Sequence, residues 1–159
     1  MTTFKSTYRS DISQNGPETV EKVWPCYLDG GYFNPDGSLK IKYVSREQVE
    51  FLVRTMCQVE NGLTSHQIRR YFGHCRAIEI RMKSGGASWA EVLPEIKKLD
   101  IAADDGFAKR PRKIPPLFRD FIKRNVATIK AEKDFLKGFL PHFEAIVGFG
   151  RIYFKKGGN

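Results

Sequence analysis

The side chains that could carry out chemistry are few and scattered along this sequence. Its acidic clusters are the pair Glu91 and Glu95 and the group Asp100, Asp104 and Asp105. A metal-dependent nuclease needs carboxylates that converge on one ion, whereas Glu91 and Glu95 fit a solvated helix face, and Glu91 also fits a helix cap. The sequence contains no P-loop, no Gly-x-Ser-x-Gly element and no dinucleotide-binding fingerprint. We therefore predict that the protein is not an enzyme and has no catalytic residues and no cofactor.

The cysteines and histidines do not form a set of metal ligands either. Cys26, Cys57 and Cys75 are widely spaced, and no Cys-x-x-Cys pair occurs. His66 and His74 stand eight residues apart on one predicted helix, which is too far for a shared ion. Reduced thiols fit a cytoplasmic protein. Because there is also no signal-peptide pattern and no long apolar run, we expect a cytoplasmic protein without a metal site or a membrane partner.

The charge balance indicates a polyanionic partner. The 159 residues include 27 lysines and arginines and 18 aspartates and glutamates, which gives a formal net charge of +9. Such an excess favours nucleic acid, because each phosphate that a cation neutralises releases condensed counterions. The composition, 41% hydrophobic and 13% aromatic, is that of a folded domain. Nucleic-acid binding is therefore the first functional hypothesis.

The basic residues of the C-terminal half have a helical spacing. Four of them fall on one side of a helical wheel of about 100° per residue, opposite the apolar side. These four are Arg119, Lys123, Lys130 and Lys137. On one continuous helix they would span roughly 27 Å, a length suited to several successive phosphates. The region from Phe107 to Lys137 holds ten lysines and arginines but three acids, whereas an ordinary solvated face mixes both signs. The connector before this helix adds Lys109, Arg110, Arg112 and Lys113 as candidate phosphate contacts.

A second basic pattern lies on the helix predicted over residues 64–84. Two rows of cations flank its apolar face, and arginine suits phosphate because its planar fork donates two parallel hydrogen bonds. One row consists of Arg69, Arg76 and Lys83, and the other of Arg70, His74 and Arg81. One row could hold RNA while the other meets acidic protein neighbours or water. Tyr71 and Phe72 fall on the apolar side, which favours a place in the core over base stacking.

Helix starts that must position these cations carry a shared signature, the capping box. In this motif a hydroxyl accepts the N–H three residues on, and the side chain at that position returns to the N–H of the cap. The three matches are Ser45-x-x-Gln48, Thr64-x-x-Gln67 and Ser88-x-x-Glu91. With stop signals at Asn61-Gly62 and Gly85-Gly86, they predict helices over about 45–60 and 64–84.

Prolines and glycines set the remaining elements. Pro94 lies beyond the first turn of the third helix, where it predicts a kink or a short first segment. Residues 104–114 are expected to form a polar connector. The pair Pro115-Pro116 then opens a long helical pattern that Gly138 and Pro141 should break or bend, ahead of a last helix.

The expected fold class is all-α, a compact bundle of about five helices preceded by an irregular N-terminal segment. We assign residues 1–44 to that segment and residues 45–159 to the helical domain. The segment is rich in turn signals, but its aromatic residues are too many for a free tail, so we expect it to lie against the bundle or a partner. These aromatics are Phe4, Tyr8, Trp24, Tyr27, Tyr32 and Phe33.

Three sequence elements, in order, resemble the small subunit of type III-A CRISPR effectors, the Csm-type complexes. The central one is the run from Leu63 to Phe72, Leu-Thr-Ser-His-Gln-Ile-Arg-Arg-Tyr-Phe, which is similar to the family's opening of its central helix. Upstream, the run from Tyr32 to Leu39 resembles a Tyr-Phe-x-x-x-Gly-x-Leu element. Downstream, the run from Phe139 to Val147 resembles a Phe-x-x-Phe-Glu-Ala-Ile/Val-Val close.

The resemblance implies a non-catalytic helical subunit that binds the RNA backbone and stabilises the duplex of guide RNA and target RNA. Its implied partners are these RNAs, the backbone and large subunits of the effector, and neighbouring copies of itself. Arg69 and Arg70 match the paired basic positions of the family, and Lys109 and Arg110 roughly match a basic loop end. The run Ile101–Gly106 departs from the family pattern of that loop. The alternative is an assembly subunit whose basic faces meet acidic proteins.

Overall fold

The computed structural model describes residues 16–156, so Phe4 and Tyr8 lie outside the described residues. In this range six α-helices form a compact bundle, which confirms the predicted all-α fold. They are α1 (Val20–Val23), α2 (Arg46–Cys57), α3 (Ser65–Lys83), α4 (Trp89–Ala108), α5 (Pro116–Thr128) and α6 (Leu140–Gly150). A 3₁₀ turn, Ile41–Tyr43, precedes α2, and a π-helical segment, Asp134–Phe139, runs directly into α6. No helix in residues 16–156 has both the length and the apolar character that crossing a bilayer requires.

A cluster of phenylalanines fills the centre of the bundle. Phe118 and Phe121 of α5, Phe135 and Phe139 of the π segment, and Phe143 of α6 are all fully buried. Phe121 and Phe143 meet edge to face with ring centroids 5.5 Å apart, and Phe139 and Phe143 are 5.4 Å apart. Burial of apolar surface is the dominant favourable term in folding, and aromatic rings contribute large buried areas to it. The cluster therefore ties the last three elements into one unit.

Residues 16–44 of the N-terminal segment lie against the bundle and supply part of its core. Trp24, Tyr27, Tyr32 and Tyr43 are buried, and the rings of Trp24 and Tyr43 stack with centroids 5.5 Å apart. The N–H of Val20 donates to the Asp120 carboxylate on α5 at 2.7 Å. These contacts confirm the predicted packing for the aromatic residues of this segment that the structure describes.

The helix caps follow local sequence at two of the three predicted sites. At Thr64 both bonds of the capping box form, each at 3.1 Å, between Thr64 and Gln67. At Ser88 the hydroxyl accepts the N–H of Glu91, but the Glu91 carboxylate accepts from that hydroxyl rather than from the backbone. The box predicted at Ser45 is wrong, because that hydroxyl donates to the carbonyl of Ile41 in the preceding 3₁₀ turn.

Replacing Thr64 with alanine is expected to lower the free energy of unfolding by about 1 kcal/mol, because the first turn of α3 loses its cap. The matched control is Ser45→Ala, which removes a hydroxyl that caps no helix and should cost clearly less. Urea midpoints of the two variants and the parent measure the difference. Equal midpoints for both variants would contradict a capping role for Thr64.

The third predicted helix is longer than its sequence suggested. It runs without interruption from Trp89 to Ala108, with Pro94 inside it, so the short first segment does not form. Pro94 and Ala90 are both exposed, and water can therefore satisfy the carbonyl that the proline leaves unpaired. Residues 104–108, which were assigned to the connector, are helical, and the connector proper begins at Lys109.

The single long helix predicted after Pro115-Pro116 is also wrong. α5 ends at Thr128, and Ile129 is extended with a ψ of 111°. The ammonium group of Lys97 on α4 donates to the carbonyls of Val126 and Ile129 at 3.0 and 3.2 Å. It thereby caps the C-terminus of α5. The Asp134 carboxylate accepts the N–H groups of residues 130 and 131 on the other side of the bend.

Gly138 and Pro141 do not break the final helix but change its pitch. Ahead of Pro141 the N–H of Leu140 bonds to the carbonyl of Phe135, five residues back, which is the π-helical pattern. Gly138 lies in this wide turn, where the ring of Tyr32 packs directly on its backbone. A Cβ added at Gly138 would lie 2.6 Å from Cγ of Tyr32.

Replacing Gly138 with alanine is expected to lower the free energy of unfolding by roughly 2 kcal/mol, because the ring of Tyr32 is held and must shift. The Tyr32 hydroxyl donates to Oδ1 of Asn125 at 2.7 Å, and this bond holds the ring in place. The matched control is Gly148→Ala in α6, where an added Cβ meets nothing within 4 Å and helix propensity should raise stability by up to about 1 kcal/mol. Thermal and urea unfolding of both variants measure the contrast. A Gly138→Ala protein as stable as Gly148→Ala would refute this packing argument.

Candidate nucleic-acid interface

A groove of about 670 Å³ lies between the first half of α3, the second half of α4 and the connector that follows α4. Its floor is apolar, since Leu99 and Ile114 line it and are almost fully buried. Tyr71 lines one wall, where its hydroxyl donates to the carbonyl of Ala102 at 3.3 Å. Gly106 allows this close approach, because a Cβ there would lie only 3.2 Å from the Tyr71 oxygen. The two helices thus meet at the bottom of the groove and leave it open above.

Lysine and arginine side chains surround the opening of the groove. Arg70 comes from α3, Lys98 from α4, and Lys109 and Lys113 from the connector. Two acidic residues also line it, but each has a cationic partner: Glu95 bonds to Arg81 at 2.8 Å, and Asp105 bonds to Lys109 at 3.2 Å. Within residues 16–156, Arg70, Lys98 and Lys113 form no ion pair. The groove therefore carries an excess of positive charge and suits an anion.

Polar side chains of α3 add hydrogen-bonding groups to the same wall. His66 and His74 line the groove, and both are exposed. Gln67 lines it as well, and its Oε1 is held by the N–H of Thr64 in the capping box. This bond fixes the side chain, so that its amide N–H groups are presented by a rigid support. Burial raises the pKa of Tyr71 above its ordinary value, so its hydroxyl stays protonated.

The structure separates the predicted cations of α3 into two groups. Arg69 and Arg70 are exposed and form no ion pair within residues 16–156. Arg76 and Lys83 instead bond to the Glu79 carboxylate at 2.7 and 3.0 Å. Burial tends to raise the pKa of Glu79, but its bonds to Arg76 and Lys83 outweigh this effect, and the pKa lies below its ordinary value. Glu79 is therefore charged at neutral pH and partly neutralises these two cations.

Two predicted cations near the connector, Arg110 and Arg119, are both bound to the C-terminal part of α4. The Arg110 guanidinium donates to three carbonyls, those of residues 107, 108 and 109, at 3.3–3.4 Å, and so caps the C-terminus of α4. Arg119 is half-buried, bonds to Asp104 at 2.7 Å and lies 4.6 Å from the ring of Phe107. Arg119 therefore joins α4 to α5, and the geometry gives it a structural role that its spacing did not reveal.

The other three cations of the predicted stripe do not share one helix. Lys123 is exposed on α5, Lys130 lies in the bend after it, and Lys137 is exposed in the π segment. Because α5 ends at Thr128 and the backbone is extended at Ile129, the continuous helix on which the stripe of about 27 Å was predicted does not form. The three lysines form no ion pair within residues 16–156, so each remains available as a separate contact.

One cation of the groove, Lys98, was not among the predicted contacts. A sequence signal for Lys98 existed, because Glu95, Lys98, Ala102 and Asp105 follow helical i, i+3 and i+4 spacing and so share a face. Recognising this face required a predicted helix that continues beyond residue 104, because Asp105 belongs to it. Among residues 16–156 no group of three or more histidine, cysteine, aspartate or glutamate side chains could hold a metal ion.

One of three comparisons with known proteins gives a match. No curated protein and no solved structure gives a significant match to the chain. The family model described as Csm2 Type III-A matches residues 48–156. This range contains most of α2, all of α3 to α6 and the whole groove. Since the match covers more than half of the sequence, the chain belongs to the Csm2 family and is a small subunit of a type III-A CRISPR effector complex.

Proposed function

We propose that the protein is a non-catalytic RNA-binding subunit that holds the RNA backbone and stabilises the duplex of guide RNA and target RNA along the effector. The observation that carries this proposal is the groove between α3 and α4, where Arg70, Lys98 and Lys113 have no acidic partner within residues 16–156. Unpaired cations around a groove attract phosphate, and the counterions that they release drive binding. Arg69, exposed on the same helix, extends this surface along α3.

The proposal includes the protein partners of a cytoplasmic effector complex, namely its backbone and large subunits and neighbouring copies of this chain. Membership in the Csm2 family supports a place in such an assembly. Sequence selection is then left to base pairing between the two RNAs, because in an RNA-guided effector the protein reads the geometry of the guide duplex and not its sequence. The small subunit needs only to recognise the backbone and the shape of the duplex.

The test of this proposal is the salt dependence of RNA binding by the full chain. We expect weak binding that does not distinguish two unrelated RNAs of equal length, because backbone charge dominates over base contacts. The logarithm of the affinity should fall linearly with the logarithm of the salt concentration. The double variant Lys123→Gln/Lys130→Gln should reduce this slope by roughly one unit per lost contact, with an unchanged circular dichroism spectrum. Equal slopes would remove both lysines from the RNA-binding set.

A second candidate function is assembly through acidic protein partners, and the α3 surface around Arg76 favours it. Arg76 already pairs with two carboxylates, those of Glu79 and Glu144, at 2.7 and 3.2 Å. Ile80 lies between Arg76 and Lys83 in sequence and is 64% exposed. An exposed isoleucine among cations suits a protein surface better than a phosphate. Binding of the other effector subunits without RNA, lost in an Ile80→Asp variant, would support this function.

A further inference from the structure

We propose that the groove between α3 and α4 binds one unstacked nucleotide, its phosphate among the cations and its base on the apolar floor. This inference rests on the proposed RNA-binding function and deepens it. A surface that contacts only phosphate needs cations but no cavity. Here the cations surround an opening of about 670 Å³, within the range of roughly 300–1,000 Å³ that small-molecule sites occupy.

The floor of the groove is suited to a base and not to a phosphate. Leu99 and Ile114 provide buried apolar surface, and Gly106 adds no side chain. An anion that entered this depth would lose its hydration without an opposing charge, whereas a base would bury its apolar faces there. The polar and apolar parts of the groove therefore match the two ends of one nucleotide.

The wall of the groove adds support for the base that does not depend on its identity. The Tyr71 ring is fixed by its hydroxyl bond to Ala102 and by an edge-to-face contact with Phe118 at 5.1 Å. The Gln67 amide is fixed through its Oε1 bond to Thr64. Its N–H groups can donate to an acceptor, and every nucleobase has one. The site is thus expected to accept any base, in agreement with RNA binding that does not depend on sequence.

Three ligands separate the contribution of the base from that of the phosphate. The full chain is titrated with adenosine monophosphate, ribose 5-phosphate and inorganic phosphate, and binding is followed by calorimetry and by NMR of the backbone amides. Adenosine monophosphate should bind about tenfold more tightly than ribose 5-phosphate, since base stacking and burial contribute on that scale. Uridine monophosphate should show the same preference. The amide signals of Ala102 and Gly106 should shift, and that of Gly148 should not.

The decisive variant fills the groove with a side chain and leaves every charge unchanged. Ala102 is exposed and lines the groove, so that Ala102→Phe occupies the space of the base while all the cations remain. The matched control is Ala90→Phe, exposed on the same helix and away from the groove. Ala102→Phe should abolish the preference for adenosine monophosphate and leave ribose 5-phosphate binding unchanged, while Ala90→Phe retains both. Unfolding midpoints confirm that the two variants are folded.

The two proposals can fail separately in this experiment. Equal affinities for adenosine monophosphate and ribose 5-phosphate in the parent, or an unchanged preference in Ala102→Phe, would overturn the nucleotide site while leaving phosphate binding intact. Loss of the salt dependence of RNA binding would instead overturn the proposed function. For RNA itself, a duplex with one bulged nucleotide should bind about tenfold more tightly than the fully paired duplex. Equal binding of the two duplexes counts against the nucleotide site.

Discussion

Replacing Arg70, Lys98 and Lys113 together with glutamine is expected to reduce RNA affinity about 100-fold at 0.1 M salt. Each phosphate contact to a single strand contributes about 0.7 units to the salt slope, so three contacts contribute about two units. At 0.1 M salt this slope corresponds to roughly two orders of magnitude in affinity. The three side chains form no ion pair within residues 16–156, and their loss should leave the fold unchanged. Filter binding at four or five salt concentrations, with circular dichroism, measures both quantities.

A second triple variant controls for the loss of net charge. Lys22, Arg151 and Lys156 are exposed, do not line the groove, and are replaced with glutamine in the same way. This control lowers the charge by the same three units, but only a small long-range effect that salt screens should remain. The groove is the RNA site if the salt slope of RNA affinity decreases in the groove variant and stays unchanged in the control variant. Parallel losses in both variants would show that RNA responds only to net charge.

Acidification is expected to destabilise the protein strongly through one buried histidine. His142 is fully buried; burial lowers its pKa from 6.5 to about 4, although its bond to the carbonyl of Tyr43 acts in the opposite direction. Between these two pH values the unfolded chain binds a proton that the folded chain does not bind. Stability is therefore fully present above about pH 6.5 and is lost as the pH falls towards about 4. The loss should reach about 2 kcal/mol at pH 5 and about 3 kcal/mol near pH 4.

Besides burial, the hydrogen bonds around His142 explain why the folded protein does not accept a second proton on this ring. The Nδ1–H donates to the carbonyl of Tyr43 at 2.6 Å, and Nε2 accepts the Tyr27 hydroxyl at 2.7 Å. The amide of Asn125 donates to the Tyr27 oxygen at 2.8 Å. A proton on Nε2 would place two donors against that oxygen and leave the Tyr27 hydrogen without an acceptor in a buried site. The neutral tautomer satisfies every one of these groups.

The variant His142→Gln isolates this contribution from that of the carboxylates. It should be less stable than the parent at pH 7, since the bonds to Tyr27 and Tyr43 are lost or weakened. Its stability should however change much less between pH 6.5 and 4.5. Urea unfolding of both proteins at five pH values measures the two curves. Curves that fall in parallel would assign the acid sensitivity to the carboxylates and not to His142.

Local physical chemistry was enough to predict the caps at Thr64 and Ser88 and the all-helical fold class. The capping box of Thr64 and Gln67 involves four consecutive residues, so no other part of the chain needs to be known. One turn signal of the N-terminal segment, Asn34-Pro35-Asp36-Gly37, is equally local, since Gly37 has a φ of 90° and its N–H bonds to the carbonyl of Asn34 at 2.9 Å. The excess of basic charge also needed only the sequence.

Tertiary contacts decided the bend after α5 and the separation of free from paired cations. Nothing in the sequence between Asn125 and Lys133 is a glycine or a proline, yet α5 ends at Thr128, because Lys97 from α4 caps its last carbonyls. The same holds for Arg119, whose spacing suggested a surface contact but which Asp104 and Phe107 of α4 hold in place. Periodicity reports the side of a helix on which a residue lies, not the partner that another helix brings to it. The groove itself is formed where α3 and α4 meet at Gly106, and this contact joins residues far apart in the sequence. The sequence was therefore sufficient to predict an all-helical basic subunit, whereas the tertiary structure was needed to locate its candidate RNA site.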